Sequence, residues 1–148
     1  MGRNPSPTPQ DPNQPVTMVS WNDAQEFCRK LTQGSRESNG LRPGREFALP
    51  SEGQWKTFVG DALQNPELAV IKQDGPERVG SRRANQFGLH DVRGNVAEWT
   101  LEKQLIGGSF QAPVLDTLAK EDPGDPETRE KDIGFRVILV EPGSAAGR

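Results

Sequence analysis

Residues 85–100 read "NQFGLHDVRGNVAEWT" and gather the single histidine of the chain, His90, with Asp91, Arg93, Asn95 and Glu98. An imidazole moves protons, carboxylates and amides hold cations, and a guanidinium grips anions, so several chemistries are open on residue type alone. His90 beside Asp91 invites a catalytic triad with Ser109 of "IGGSF". Triads are defined by geometry, and adjacent residues on a strand or turn point in different directions. The sequence therefore favours a partly buried, hydrogen-bonded histidine. "IGGSF" is no phosphate loop either, because no longer glycine-rich run with a lysine opens a helix after it.

Composition narrows the choices further. One histidine and one cysteine, Cys28, exclude zinc or iron sites built from several such ligands, a two-thiolate copper site and any intrachain disulfide. Oxygen-ligand ions such as calcium stay compatible with the composition. Eighteen basic against 21 acidic residues give a net charge of −3, which argues against nucleic acid as a partner. No apolar run is long enough to span a bilayer, and "MGRNPSPTPQ" lacks the apolar core of a secretion signal. A soluble chain follows as the expectation, with a cytoplasmic location favoured.

The elements that must position these groups are short. Residues 1–15 hold five prolines among Ser, Thr, Asn and Gln, and read as an extended linker. In "VSWNDAQEFCRKL", Ser20 and Asp23 form a capping box, while Ala24, Phe27, Cys28 and Leu31 make one apolar stripe. Gly34 is the expected stop, and Cys28 is expected as a small core side chain. Ser51 with Gln54 predicts a second capped helix with Trp55, Phe58 and Val59 on its buried side, ended by Gly60. "ELAVIKQ" fits a short strand or a helical turn equally well. "KQLIGGSF" is a strand broken by Gly107 and Gly108, and "DIGFRVILV" is a β-branched strand. Between them, residues 111–132 carry ten charges and three prolines, and a loop of that length is commonly functional or disordered. Residues 141–148 read as a tail.

Four segments in this order, "PVTMVSWNDAQEFCRKL", "FALPSEGQW", "ANQFGLHDVRGNVAEWT", and "IGGSF" followed by "IGFRV", resemble the formylglycine-generating enzyme family, also called sulfatase-modifying factors. The sequence is similar to domains attached to bacterial serine/threonine kinases and other multidomain proteins. The resemblance implies an α+β, C-type lectin-like fold over residues 16–140: two short helices, a small irregular antiparallel sheet and long loops. It also implies core positions for Trp21, Trp55 and Trp99, with Trp99 the candidate for partial exposure. The match spans the later part of a typical family domain, so the usual N-terminal strands are expected to be reduced or to lie upstream.

Departures from the family pattern set the functional expectation. Catalytic members use two cysteines after "RGGS" to bind copper, whereas residues 111–135 contain none. Related sulfoxide synthases need three histidines, which this chain lacks. Ile106 and Ala48 replace the arginines of the family's "RGGS" and "RLPTE". The family's turn can hold calcium, and the matching positions are Asn95, the Val96 carbonyl and Glu98, with Asp91 or Glu102 as added donors. The competing expectation is structural, with Asn95 in a turn and Glu98 neutralising Arg93 or Arg136.

These readings point to a non-catalytic recognition module. Its expected ligand face is the 111–132 loop, through Asp116, Asp122, Asp125, Glu127 and Arg129, with neighbouring Arg93 and Glu102. The expected partner is a protein or another polar ligand, with no cofactor beyond calcium. Rival expectations are the variable protein of a diversity-generating retroelement, a reduced oxidase, and a spacer domain without a ligand.

Overall fold

Both capping boxes form where the sequence places them. The computed structural model describes residues 4–6, 11–113 and 119–141, and Asp116 lies outside these. Ser20 Oγ accepts from the Asp23 amide, the Asp23 carboxylate accepts from the Ser20 amide, and helix α1 runs Trp21–Glu37. Gly34 does not stop it: one glycine costs about 1 kcal/mol, and the helix continues for a further turn, capped by Ser38. At 17 residues α1 is longer than expected. The same reciprocal cap at Ser51 and Gln54 starts helix α2, Glu52–Val59. Gly60, at φ 54°, then turns the chain into two 3₁₀ turns, Gly60–Leu63 and Pro66–Leu68. "ELAVIKQ" thus supplies both a helical turn and, at Val70, an isolated parallel bridge to Gly94.

Among the described residues five strands complete the domain: β1 Glu46–Ala48, β2 Ala97–Trp99, β3 Leu105–Ile106, β4 Ile133–Phe135 and β5 Ile138–Val140. They form two small sheets. β1 and β5 pair antiparallel, whereas β2 sits between antiparallel β3 and parallel β4. "DIGFRVILV" is therefore two strands in different sheets, divided at Arg136 and Val137.

Alternation along β3 divides the core in two. Leu105 joins Ala24, Cys28, Leu49, Ala97, Trp99 and Ile133, while Ile106, on the opposite face, joins Trp55, Val59, Ala62, Leu68 and Val92. Trp55 and Trp99 are fully buried. Trp21 is the half-exposed one, its indole N–H donating to the Thr100 carbonyl at 2.9 Å and Lys103 lying 4.9 Å above its ring. Residues read as linker contact the body: Asp11 pairs with Arg78, and the Val79 amide donates to the Asn13 carbonyl at 2.7 Å. Among the described residues no helix is long and apolar enough to cross a membrane.

Candidate functional site

The 85–100 stretch is built into the framework. Asn85, almost fully buried, donates to the Phe58 and Val59 carbonyls and accepts from the Phe87 and Leu89 amides, closing the end of α2 onto the turn that follows. Gly94 packs so tightly that a Cβ there would lie 2.2 Å from the Val70 carbonyl oxygen, and its φ is 72°. Asn95 also adopts a left-handed conformation, φ 63°. Its side chain accepts from the Glu77 amide at 3.0 Å and donates to the Glu77 carbonyl at 3.2 Å. Arg93 is buried, and its Nη1 donates to the Ala62 and Leu63 carbonyls. Arg93 thus faces the 3₁₀ turn.

Glu98, in β2, accepts a forked set of hydrogen bonds from Arg136 at 2.7–3.1 Å, and Arg136 Nη2 also donates to the His90 carbonyl. Burial works against charge on Arg136, but the Glu98 carboxylate outweighs it and, with Asp91 beyond, holds its pKa above the ordinary range. The donor set proposed for calcium therefore fits poorly. Both Glu98 oxygens answer Arg136, and Asn95 Oδ1 answers Glu77. Among the described residues no three His, Cys, Asp or Glu side chains converge to hold a metal ion.

No triad forms either. His90 is exposed rather than partly buried, and its Nδ1 lies 2.7 Å from the Arg82 carbonyl oxygen, where it donates. Asp91 accepts from the Gly80 amide, and Ser109 Oγ donates to Asp132 at 2.7 Å in a different cleft. Cys28 offers no substitute thiol, since burial pushes its pKa up to about 11.

The long loop is stitched down at both described ends. At one end, Glu121 bridges to Leu105 beside β3, and Lys120 pairs with Glu52 at 2.5 Å. Glu102 stands at the same corner, its carboxylate accepting from the Glu52 amide at the start of α2. At the other end, Pro126 and Glu130 accept from the Trp21 and Met18 amides. Arg129 bonds to Asp23 and Ser20, while Glu127 accepts from Asn22 and pairs with Arg129. Asp122 and Asp125 cap tight turns through the Gly124 and Glu127 amides and are otherwise exposed. The expected ligand residues thus divide: Glu127 and Arg129 fasten the loop, whereas Asp122 and Asp125 face solvent.

Sequence reasoning missed a polar cleft of about 430 Å³ between the "GGS" turn and the loop, lined by Ser109, Gln111, Lys120, Glu121 and Asp132. Gly107 and Gly108, both at positive φ, turn the chain out of β3 and set Ser109 at its rim. The signal available was Ser109 itself, which the sequence considered only as a triad member and then set aside.

Comparison with known proteins accords with this architecture. The sequence matches the family described as Sulfatase-modifying factor enzyme 1-like domain over residues 2–67 and 63–140, a span that includes most of the stretch read as a linker. No curated protein matches it. Among solved structures, the fold is similar to Treponema denticola variable protein 1, with a TM-score of 0.74 and 22% identity over 96% of this chain and 79% of that one. CarF gives a TM-score of 0.65 and 24% identity over 88% and 68% of the two chains. PvdO from Pseudomonas aeruginosa gives 0.66 and 22% identity over 90% of this chain and 64% of that one. Capped helices, glycine-broken strands and matching motifs together lead to one conclusion: the chain belongs to the sulfatase-modifying factor enzyme 1-like domain family.

Proposed function

We propose that this domain is a non-catalytic recognition module whose ligand face is the cleft between the "GGS" turn and the 111–132 loop. The observation that carries this reading is the cleft itself. Ser109 and Asp132 are locked by a 2.7 Å hydrogen bond, with Gln111, Lys120 and Glu121 around them, on a rigid two-core frame. Fixed donors and acceptors of both signs suit a polar ligand such as a peptide segment or a saccharide. The absence of cysteine from residues 111–135 supports a binding role over thiol oxidation.

Binding to arrays of short peptides and saccharides tests this, using the intact chain beside Gln111→Ala, Asp132→Asn and Asp122→Lys variants. A ligand lost with Gln111→Ala and Asp132→Asn supports the cleft, and loss with Asp122→Lys extends the face along the loop. Equal binding by every variant refutes the location. Glu127 and Arg129 are poor targets because reversing them unfastens the loop from α1.

A second reading is a variable protein of a diversity-generating retroelement, favoured by the fold similarity to Treponema denticola variable protein 1. Residues 111–132 contain no asparagine, a residue such diversified segments often carry. Sequencing natural copies of the gene and its neighbourhood decides the matter. Clustered substitutions in this loop beside a reverse transcriptase and a template repeat would establish the second reading.

A further inference from the structure

A second groove, distinct from the Ser109–Asp132 cleft, lies along the first turns of α1. Its floor is apolar and half-exposed: Val16, Met18, Phe27 and Phe135 line a cavity of about 600 Å³. Phe27 and Phe135 meet edge to face, with centroids 5.1 Å apart and planes at 67°, so their rings form a notch. The rim carries Asp23, Glu26, Lys30 and Arg129, and these charges answer one another: Arg129 with Asp23 at 2.9 Å, Lys30 with Glu26 at 3.2 Å. A rim neutralised in this way offers little to a charged ligand and suits an uncharged one.

One segment already stands there. Asn4 and Pro5 border the groove, and Ser6 Oγ accepts from the buried Thr17 amide at 2.9 Å, beside Val16. Residues 4–10, "NPSPTPQ", are uncharged and hold three prolines. Such a sequence prefers the polyproline II conformation, keeps its carbonyls hydrated, and loses little entropy when its rings settle on aromatic faces.

We propose that this groove is a docking site for uncharged, proline-rich extended peptides, with Phe27 and Phe135 as the aromatic platform. The stretch that begins with Asn4 and Pro5 at its edge supplies the prototype sequence of the ligand. The site works independently of the polar cleft and needs no metal or thiol.

The test is a titration of the isotope-labelled full chain with an acetylated, amidated peptide of the sequence NPSPTPQ, followed by chemical shifts. Expected are saturable shifts concentrated at Val16, Met18, Phe27 and Phe135, and about fivefold weaker binding for Phe27→Leu, from loss of aromatic packing. Phe135→Leu is made in parallel, and thermal melts identify which variant keeps the fold. Saturable shifts that weaken in a folded leucine variant support the proposal. No shifts at millimolar peptide, undiminished binding by a folded leucine variant, or equal binding of a peptide with alanine at each proline would overturn it.

Discussion

Replacing Arg136 by methionine should strongly destabilise this protein, and the reason is the carboxylate left behind. The Glu98 side chain is 6% exposed and that of Arg136 22%. Their forked contact supplies three hydrogen bonds of 2.7–3.1 Å. Removing one partner of a buried pair costs roughly 3–5 kcal/mol, because the remaining charge has lost both water and partner. Arg136 reaches solvent, so water can partly fill its place, and the low end, about 3 kcal/mol, applies to Arg136→Met. In a domain of this size that corresponds to a fall in melting temperature of about 10 °C. Glu98→Gln keeps an acceptor in place and should cost about 2 kcal/mol. The double variant leaves no uncompensated charge but a buried amide without its partner, a cost of about 1–3 kcal/mol, so it should fall well short of the roughly 5 kcal/mol sum of the two singles. Denaturant titrations of the four proteins at neutral pH give the coupling energy directly. Additive single effects, with coupling below about 0.5 kcal/mol, would refute the argument. So would a calcium-induced rise in the parent's melting temperature that Glu98→Gln abolishes, because it would mean the carboxylate serves a cation instead of Arg136.

Three further outcomes are expected. Gly94→Ala would place a methyl 2.2 Å from the Val70 carbonyl oxygen at φ 72°, and should cost more than about 3 kcal/mol, read as lost soluble yield or an early melt; a stable Gly94→Ala protein would contradict the tight crossing of these two segments. Acid should release the loop before the core. The Lys120 bond, with Lys56, lowers the Glu52 pKa; at Asp23 burial works to raise it, but the bonds from Arg129 and Ser20 together outweigh burial and lower it. Groups with depressed folded pKa values stabilise above the ordinary carboxylate range and lose that effect as pH falls through their folded values. Protection factors for amide exchange at residues 119–130 should therefore fall below about pH 4, while those in β2 hold; simultaneous loss in both would count against it. Cys28, buried and with its pKa raised to about 11, should resist alkylation in the native protein and react on unfolding; fast native labelling would show that this part of the core opens.

The parts of the fold legible in the sequence are those written locally. Ser20 with Asp23 and Ser51 with Gln54 carry both halves of their caps within three residues, so the helix starts are unambiguous. The glycine break after β3 is similarly local. What could not be read depends on partners far away in the chain. Nothing near Arg93 says that it answers carbonyls at 62 and 63. Nothing in "DIGFRVILV" shows that Phe135 belongs beside Trp99 while Ile138 belongs beside Ala48. The site suffered most from this. Asp122, Asp125, Glu127 and Arg129 look alike in sequence, and α1 alone decides which of them are fasteners. The pairing of Ser109 with Asp132 spans the entire loop, so residue type found the serine but distance in sequence concealed its partner.

The β1–β5 ribbon has a consequence for how the molecule assembles. It joins residues 46–48 to residues 138–140, so the strand after α1 waits for one made near the far end of the chain. Closing so large a circuit costs entropy before any contact rewards it, and folds dominated by distant pairings reach their native state slowly. During synthesis α1 can form early and pack on β1, but the backbone edge of β1 stays unpaired until β5 has left the ribosome. Any longer protein that carries this domain must therefore shield a half-built sheet, which makes the order of its neighbours a matter of folding as well as of function.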